Sequence, residues 1–267
     1  MNASILPFGG DDAALVADGS ALARHARPSA DYARREAAAR QTLRAAHAEF
    51  GDALVLSSSL GVEDMVLTDL LVAEGLPVPI ATLDTGRLHG QTLALLEAAQ
   101  THYGRTIEVW RPDAAAVDAF VAREGADAMY RSVELRHACC ALRKLEPLAR
   151  MLQGRRAWIV GLRREQSAQR ADAAARELDA QGRAKFSPLF DWTLGDVWHY
   201  VAQHQVPYNA LHDHHYPSIG CAPCTRAIAL GEDPRAGRWW WEQDGAKECG
   251  LHLTQALHRI DQPGETT

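Results

Sequence analysis

Short apolar runs alternate with longer amphipathic stretches along the middle of the chain. The apolar runs are rich in Val, Ile and Leu and have the length of buried strands. They lie at residues 53–59, 78–86, 106–110 and 157–161. The intervening stretches of helical period cover residues 62–75, 89–104 and 113–125. This alternation predicts an α/β fold with a doubly wound, mostly parallel sheet that carries helices on both faces.

The two ends of the chain depart from this alternation. Residues 1–30 lack a clear period, whereas 31–50 are dense in strong helix formers. Residues 179–193 are turn-rich, and the helix after them is expected to begin at Thr193 and to end before Pro207. The predicted parts are an N-terminal arm and helix at 1–50, a main α/β domain at 51–230 and a flexible C-terminal tail at 231–267.

The composition changes this picture only slightly. A chain of 267 residues with 47% apolar content can fill one sizeable core. Its net charge of −6 offers no general basic field to nucleic acid, although a local basic cluster could hold a small anion. No apolar run approaches the roughly 18 residues of a membrane helix, and no secretory leader is evident. We expect a cytoplasmic protein that binds neither nucleic acid nor membrane, with homo-oligomerisation left open.

Three polar loops follow predicted strands, which is where open α/β sheets bind ligands. They read SSSLGVED (57–64), LDTGRLHG (83–90) and GLRREQS (161–167). The first can offer hydroxyl groups and amides to a phosphate at a helix N-terminus, or serve only as a turn and cap. The residues concerned are Ser57, Ser58, Ser59 and Gly61. In the second loop, Asp84, Thr85 and Gly86 suit either an adenosine contact or a plain turn.

Four of the five cysteines form two close pairs. Cys139 and Cys140 are adjacent, and Cys221 and Cys224 form a C-x-x-C. Adjacent Cα atoms lie about 3.8 Å apart, which is too close for the roughly 4.4–6.8 Å span of a disulfide. Four converging thiolates favour a 4Fe-4S cluster over zinc, because consecutive ligands fit one tetrahedral ion poorly. The alternative is that the adjacent pair is simply buried in a helix.

Cationic residues accompany these thiols. If residues 139–150 are helical, Lys144 shares a face with Cys140 and would offset cluster charge or reach an anionic substrate; otherwise it is an ordinary solvated lysine. The fifth cysteine, Cys249, lies among basic residues, which favour the reactive thiolate. These neighbours are Arg235, Arg238, Lys247 and His252. Cys249 is therefore either a nucleophile for an anionic substrate or an idle thiol, and Trp239–Trp241 are expected to anchor the tail.

Several motifs in the sequence resemble those of the assimilatory adenylyl-sulfate and phosphoadenylyl-sulfate reductases. They are LDTGRLH, the adjacent cysteines, IGCAPCTR, GRWWWE and KECGLH, spread between residues 52 and 252. The chain resembles this family, whose members have the adenine-nucleotide alpha-hydrolase fold. The resemblance implies that the four paired cysteines hold a 4Fe-4S cluster. In the family this feature accompanies adenosine 5'-phosphosulfate as the substrate.

The resemblance also implies a set of substrate contacts. Those to the nucleotide are Ser58, Ser59, Leu83, Gly161 and Arg170, and Asp84 and Arg163 are further substrate contacts. Those around the phosphosulfate are Lys144, Arg235, Arg238 and His252. The SSSLG loop is closer to that of cluster-free members, which use the 3'-phosphorylated nucleotide. Phosphoadenylyl-sulfate is therefore the alternative substrate.

The implied reaction divides the work between the enzyme and a thiol partner. Cys249 would attack the sulfur of the phosphosulfate, expel AMP and become an S-sulfocysteine. Thioredoxin or glutaredoxin would then attack the cysteine sulfur and release sulfite. Two alternatives come from other classes: an ATP-using nucleotidyl transferase, such as a tRNA thiolation enzyme, and a zinc-stabilised nucleotide-binding module.

Overall fold

The computed structural model of the protein describes residues 19–166 and 174–242, where strands and helices alternate as expected. The helices are α1 (Ala21–His25), α2 (Tyr32–Phe50), α3 (Val62–Ala73), α4 (Gly90–Tyr103), α5 (Ala114–Glu124), α6 (Val133–Cys140), α7 (Glu146–Met151) and α8 (Leu194–His204). The strands are β1 (Leu54–Ser58), β2 (Ile80–Leu83), β3 (Ile107–Trp110), β4 (Ala157–Ile159), β5 (Arg176–Leu178) and β6 (Ala184–Phe186). Within the described ranges, no helix has the length and apolar content to cross a membrane.

The described strands form a six-stranded sheet in the order β3-β2-β1-β4-β6-β5. Neighbouring strands are parallel except β5 and β6, which are antiparallel. Successive side chains of a strand point to opposite faces, so each strand contributes to two apolar layers. Leu54 and Ile159 pack on the side of α2, α3, α4 and α8, whereas Val55 and Trp158 pack on the side of α7. These features confirm the doubly wound, mostly parallel sheet.

Helix α2 is part of the main core. Its buried residues Ala39, Leu43 and Ala46 recur every three or four positions and therefore share one face. That face packs in the same apolar cluster as Leu54 of β1 and Leu70 of α3. The helix before the first strand thus covers the sheet together with the helices that follow it.

Helix α8 begins with a capping box and ends where the sequence predicts. The Asp196 amide donates to Thr193 Oγ1 at 3.0 Å, and the Thr193 amide donates to the Asp196 carboxylate at 2.9 Å. The same carboxylate accepts the Ser29 amide at 2.7 Å and pairs with Arg35 at 2.8 Å. The helix stops at His204. One buried carboxylate therefore starts α8 and fastens the N-terminal segment to it.

A hairpin at residues 176–186 overlaps the stretch 179–193, for which the sequence indicates only turns. Strands β5 and β6 have three residues each, too few to show the two-residue period of a strand. Between them the Asp179 carboxylate accepts the amides of Gln181 and Arg183, both at 2.9 Å. Gly182 adopts a φ of +75°, a conformation that favours glycine. The predicted turn is present at residues 179–183, whereas β6 lies inside the range 179–193 and β5 lies before it, and neither strand is predicted by the sequence.

We expect Leu43→Ala to lower the free energy of unfolding by about 2–5 kcal/mol, because it leaves a cavity in the main core. Leu93→Ala on α4, where the side chain is 40% exposed, is the control and should cost less than about 1 kcal/mol. Urea unfolding measures both values. Equal effects of the two changes would contradict the assignment of α2 to the core.

Candidate functional site

A cleft opens where the strand order reverses. Strand β1 has β2 on one side and β4 on the other, so the connections that leave β1 and β4 diverge. Such switch points form the ligand-binding crevices of open α/β sheets. Here the cleft has a volume of about 1250 Å³ and is lined by residues that follow both strands.

Most of the residues predicted to contact substrate line this cleft. They are Ser58, Ser59, Leu83, Lys144, Gly161, Arg163, Arg235 and Arg238. Asp84 does not line it, because its carboxylate accepts the Gly86 amide at 3.0 Å and Arg111 Nε at 3.0 Å, as in a plain turn. Three predicted residues lie outside the described part of the chain: Arg170, Cys249 and His252.

Asp64 joins the two loops that form the cleft. Its carboxylate accepts the Ser59 amide at 2.7 Å, the Ser59 hydroxyl at 2.6 Å and, from the other loop, the Gly161 amide at 2.9 Å. Burial raises the pKa of Asp64 to about 6, with the neighbouring Glu63 charge adding to the rise and the Ser59 and Gly161 bonds opposing it. A side chain on Gly161 would collide with Asp64 Oδ1 and with Glu63 Cβ. The close approach of the two loops therefore requires glycine at 161.

The serines of the first loop also hold its backbone. The Leu60 amide donates to Ser58 Oγ at 3.1 Å, and the Gly61 amide donates to Ser59 Oγ at 3.3 Å. Leu60 has a φ of +60°, which is uncommon for a residue other than glycine, and its side chain is buried. The loop is thus a tight turn whose two serines still line the cleft.

Arg163 is paired on the cleft wall. Its Nε donates to Glu63 Oε1 at 2.8 Å, and Gln166 Nε2 donates to the same oxygen at 3.0 Å. Burial alone would raise the pKa of Glu63, but the charge and hydrogen bond of Arg163 outweigh burial and hold it below its usual range. The pair fixes the loop after β4 against the start of α3.

All four paired cysteines line one cavity beside the cleft, and all four are free thiols. Cys139 and Cys140 end α6, whereas Cys221 precedes the 3-10 turn Ala222–Cys224 and Cys224 ends it. The other lining residues are Arg87, Met129, Arg136, Arg143, Lys144, Pro223 and Trp239. Lys144, Cys221 and Trp239 line the cavity and the cleft alike. The two spaces therefore share a wall.

Residues 139–150 are helical but do not form one regular α-helix, because the π-helical turn Ala141–Leu145 separates α6 from α7. In this turn the Glu146 amide donates to the Ala141 carbonyl, five residues back. Pro147 gives the physical reason, since it has no amide to donate to the carbonyl of Arg143 and its ring would crowd that carbonyl. Such turns occur frequently at functional sites.

The donor set of the cavity suits a soft metal centre. Burial raises the pKa of Cys224 to about 11, with Cys221 adding to the rise and Lys144 and Arg238 opposing it. Burial also raises the pKa of Cys139, against the charge of Arg143. Thr85 Oγ1 lies 3.2 Å from Cys221 Sγ. Crowded, buried thiols of this kind ionise readily only beside a cation, and thiolates are ligands for iron–sulfur clusters and zinc.

The arrangement does not by itself define a site for a single ion. Across 19–166 and 174–242, no group of three or more His, Cys, Asp or Glu side chains is arranged to hold one metal ion. What the structure brings together is a cavity with four sulfurs on its wall.

Several residues of the site escaped the sequence analysis. They are Asp64, Glu63, Arg143 and Arg136. A weak signal existed for Asp64, since an acidic residue in the first turn of a helix can reach back to the preceding loop. Arg143 adjoins Lys144, but its distance in sequence from the cysteines does not predict that it lines the cavity. The positions of the other residues depend on contacts between distant segments, which a single sequence does not reveal.

Comparison with known proteins identifies the family. The profile of the phosphoadenosine phosphosulfate reductase domain matches residues 53–227. A protein of Allochromatium vinosum named adenosine 5'-phosphosulfate reductase is 55% identical over 226 residues, covering 84% of this chain and 88% of that protein. One of the same name from Burkholderia cepacia is 52% identical over 204 residues, covering 76% and 82%.

Solved structures agree with this relation. Phosphoadenylyl-sulfate reductase from Candida auris has a TM-score of 0.61 at 26% identity, over 69% of this chain and 88% of that one. FMN adenylyltransferase from Candida glabrata has a TM-score of 0.54 at 14% identity, over 89% of this chain and 81% of that one, and shares only the fold.

The fold and the cleft define an open α/β protein with its site at the strand switch point. The chain belongs to the phosphoadenosine phosphosulfate reductase family and is an oxidoreductase.

We expect Gly161→Ala to lower the free energy of unfolding by about 1–3 kcal/mol, because the added methyl group drives the two cleft loops apart. Gly90→Ala is the matched control, since its Cβ would meet nothing within 4 Å. It should leave stability unchanged or raise it by up to about 1 kcal/mol. Urea unfolding compares the two, and an equal loss at both positions would contradict the proposed close approach.

Proposed function

We propose that this protein reduces adenosine 5'-phosphosulfate to sulfite and AMP with electrons from thiols, as a step of assimilatory sulfate reduction. The observation that carries the proposal is the wall shared by a cavity of four cysteines and a cleft at the strand switch point. The names of the relatives from Allochromatium vinosum and Burkholderia cepacia support the choice of substrate. A reaction that consumes thiols suits the reducing conditions of the cytoplasm, where we place the protein.

The cysteine cavity is proposed to hold a 4Fe-4S cluster through Cys139, Cys140, Cys221 and Cys224. When bound, the cluster would supply iron as the cation that keeps the four cysteines as thiolates, and it would supply no net electrons; Lys144 would offset its net negative charge. Lys144 lies on the shared wall and raises the positive potential on both sides. Arg143 donates to the Thr85 carbonyl at 2.8 Å and thereby holds the loop after β2 against the cavity.

The cleft is proposed to bind the nucleotide at one end and the phosphosulfate at the other. Ser58, Ser59 and Gly161 would contact the nucleotide, together with Leu83 at the end of β2. Cations would surround the phosphosulfate, a pattern that stabilises the charge on a leaving phosphate. These cations are Lys144, Arg235 and Arg238 from the cleft, with His252 from the tail. Arg163 would act mainly through Glu63, which it fixes in place.

The proposed nucleophile is Cys249, in the tail 231–267. Its thiolate would attack the sulfur of the phosphosulfate, forming an S–S bond while the bond to the bridging oxygen breaks and AMP leaves with the electron pair. A dithiol partner, thioredoxin or glutaredoxin, would attack the Cys249 sulfur, so that sulfite leaves with the S–S electron pair. The partner's second thiol then resolves the mixed disulfide. Both electrons come from the partner, and the enzyme returns to its thiol form.

The second candidate is reduction of the 3'-phosphorylated nucleotide. It is favoured by the SSSLG loop and by the likeness to the phosphoadenylyl-sulfate reductase of Candida auris. Steady-state rates with the two nucleotides, under the same thioredoxin supply, decide between them. A higher kcat/KM for adenosine 5'-phosphosulfate supports the first proposal, and the reverse order supports the second.

We expect Cys249→Ser to bind nucleotide and keep its metal but to form no sulfite, because a hydroxyl is not a substitute for the attacking thiolate. Wild-type protein incubated with adenosine 5'-phosphosulfate and no reductant should carry a sulfonate adduct on the peptide that contains Cys249. Mass spectrometry detects the adduct, which should be missing from the variant. Sulfite formation by the variant at the wild-type rate would refute this mechanism.

We expect anaerobically purified protein to contain about four irons per chain and no zinc. Cys221→Ser should lose most of the iron and the activity together, because it removes one ligand. Cys249→Ser is the matched control, which removes a thiol that is not one of the four proposed ligands and should retain the iron. Metal analysis and visible absorption report the outcome. Stoichiometric zinc would instead support a zinc-stabilised binding module.

A further inference from the structure

A buried ion pair connects α6, the cysteine helix that ends with Cys139 and Cys140, to the C-terminal segment at residues 235–242. Arg136 Nε donates to Glu242 Oε1 at 2.7 Å, and Arg136 Nη2 donates to Oε2 at 2.9 Å. The side chains are 0% and 4% exposed. Arg136 lies on α6 three residues before Cys139, and Glu242 lies three residues after Trp239. The pair therefore spans from one wall of the cysteine cavity to another.

Trp239 is held by the same pair. The Arg136 guanidinium carbon lies 4.6 Å from the centroid of the Trp239 ring, within the range of a cation–π contact. Trp239 has a φ of +43°, a conformation that its surroundings must maintain because tryptophan rarely adopts it. Its side chain is buried on the wall shared by cavity and cleft. Loss of the pair would release a strained segment that covers the cavity.

The ion pair connects the segments that carry the two cysteine pairs. Backbone contacts attach the C-terminal segment to the C-x-x-C side, since the Trp239 amide donates to the Cys224 carbonyl at 3.2 Å and Arg238 bridges to Thr225. The bond between Glu242 and Arg136 reaches the helix of Cys139 instead. The segment 235–242 thus connects two thiol pairs that are some eighty residues apart in sequence.

We propose that Arg136 and Glu242 form a latch that closes the cysteine cavity, and that opening of this latch controls access from solvent to whatever the cysteines hold. Both residues are positioning residues, because they act through Trp239 and the cysteine helix. A buried bidentate pair suits this role, since removal of one partner leaves the other charge buried and uncompensated. The inference rests on the proposed cluster only for the nature of the occupant.

The test compares iron release from anaerobic holoprotein to a ferrous chelator. Glu242→Gln should release iron about tenfold faster than wild type, because it weakens one side of a buried charge pair. Arg136→Gln should do the same, and the double variant should be no faster than the faster single variant, because both changes break one link. Asp179→Asn is the matched control. This change weakens the ion pair between Asp179 and Arg183 in the hairpin turn, and the Asp179 side chain is 4% exposed, like that of Glu242. The rate of iron release should stay unchanged.

Release from Glu242→Gln at the wild-type rate, or equally fast release from Asp179→Asn, would overturn the latch. Additive effects in the double variant would also overturn it, since they would show two independent links. If the wild-type protein holds no iron, the proposed cofactor fails and the latch is judged on metal-free protein. Amide hydrogen exchange over 235–242 should then be faster in Glu242→Gln, and unchanged exchange would refute the proposal.

Discussion

The crowding of four thiols, of which Cys221 and Cys224 are buried and Cys139 and Cys140 are half-buried, is the constraint on which the rest of the site depends. A buried thiol resists ionisation, and a thiolate beside it adds to the resistance, which is why the pKa of Cys224 rises to about 11. Cations oppose this effect: Arg143 beside Cys139, and Lys144 and Arg238 beside Cys224. Since Lys144 and Arg238 also line the cleft, the charge that favours thiolates in the cavity favours an anion next to it.

The sheet supplies the fixed frame for both spaces. The strand order of the sheet reverses beside β1. The Asp64 carboxylate accepts amides from the loop after β1 and from the loop after β4, so it holds together the two loops that form the cleft. The cavity, in contrast, is assembled from segments outside the sheet. There a π-helical turn, a 3-10 turn and the pair of Arg136 with Glu242 take the place of strand pairing. The strand order therefore positions the cleft, whereas backbone turns and one side-chain pair outside the sheet position the cavity.

The sequence predicted those features that depend on local pattern. Alternating apolar runs defined the strands, and Thr193 marked the start of α8 because a capping box is encoded within four residues. The hairpin β5–β6 was missed because three-residue strands have no measurable period. The bonds of Asp64 to Gly161, and of Arg136 to Glu242, join residues about one hundred positions apart, and no rule of spacing predicts them. The four paired cysteines were the exception. Two close pairs of thiols predict a common site even when the pairs lie far apart in sequence, and all four line one cavity.

The hairpin that the sequence did not reveal has a consequence for how copies of the chain can meet. Strand β5 lies at one edge of the sheet, runs against its neighbour and is only three residues long. Arg176 on this strand pairs with Glu49, and Glu177 pairs with Lys185 at 2.7 Å. Short, charged edge strands block the addition of a foreign strand. Continuous sheet extension through this border is therefore disfavoured, which protects the protein from aggregation there.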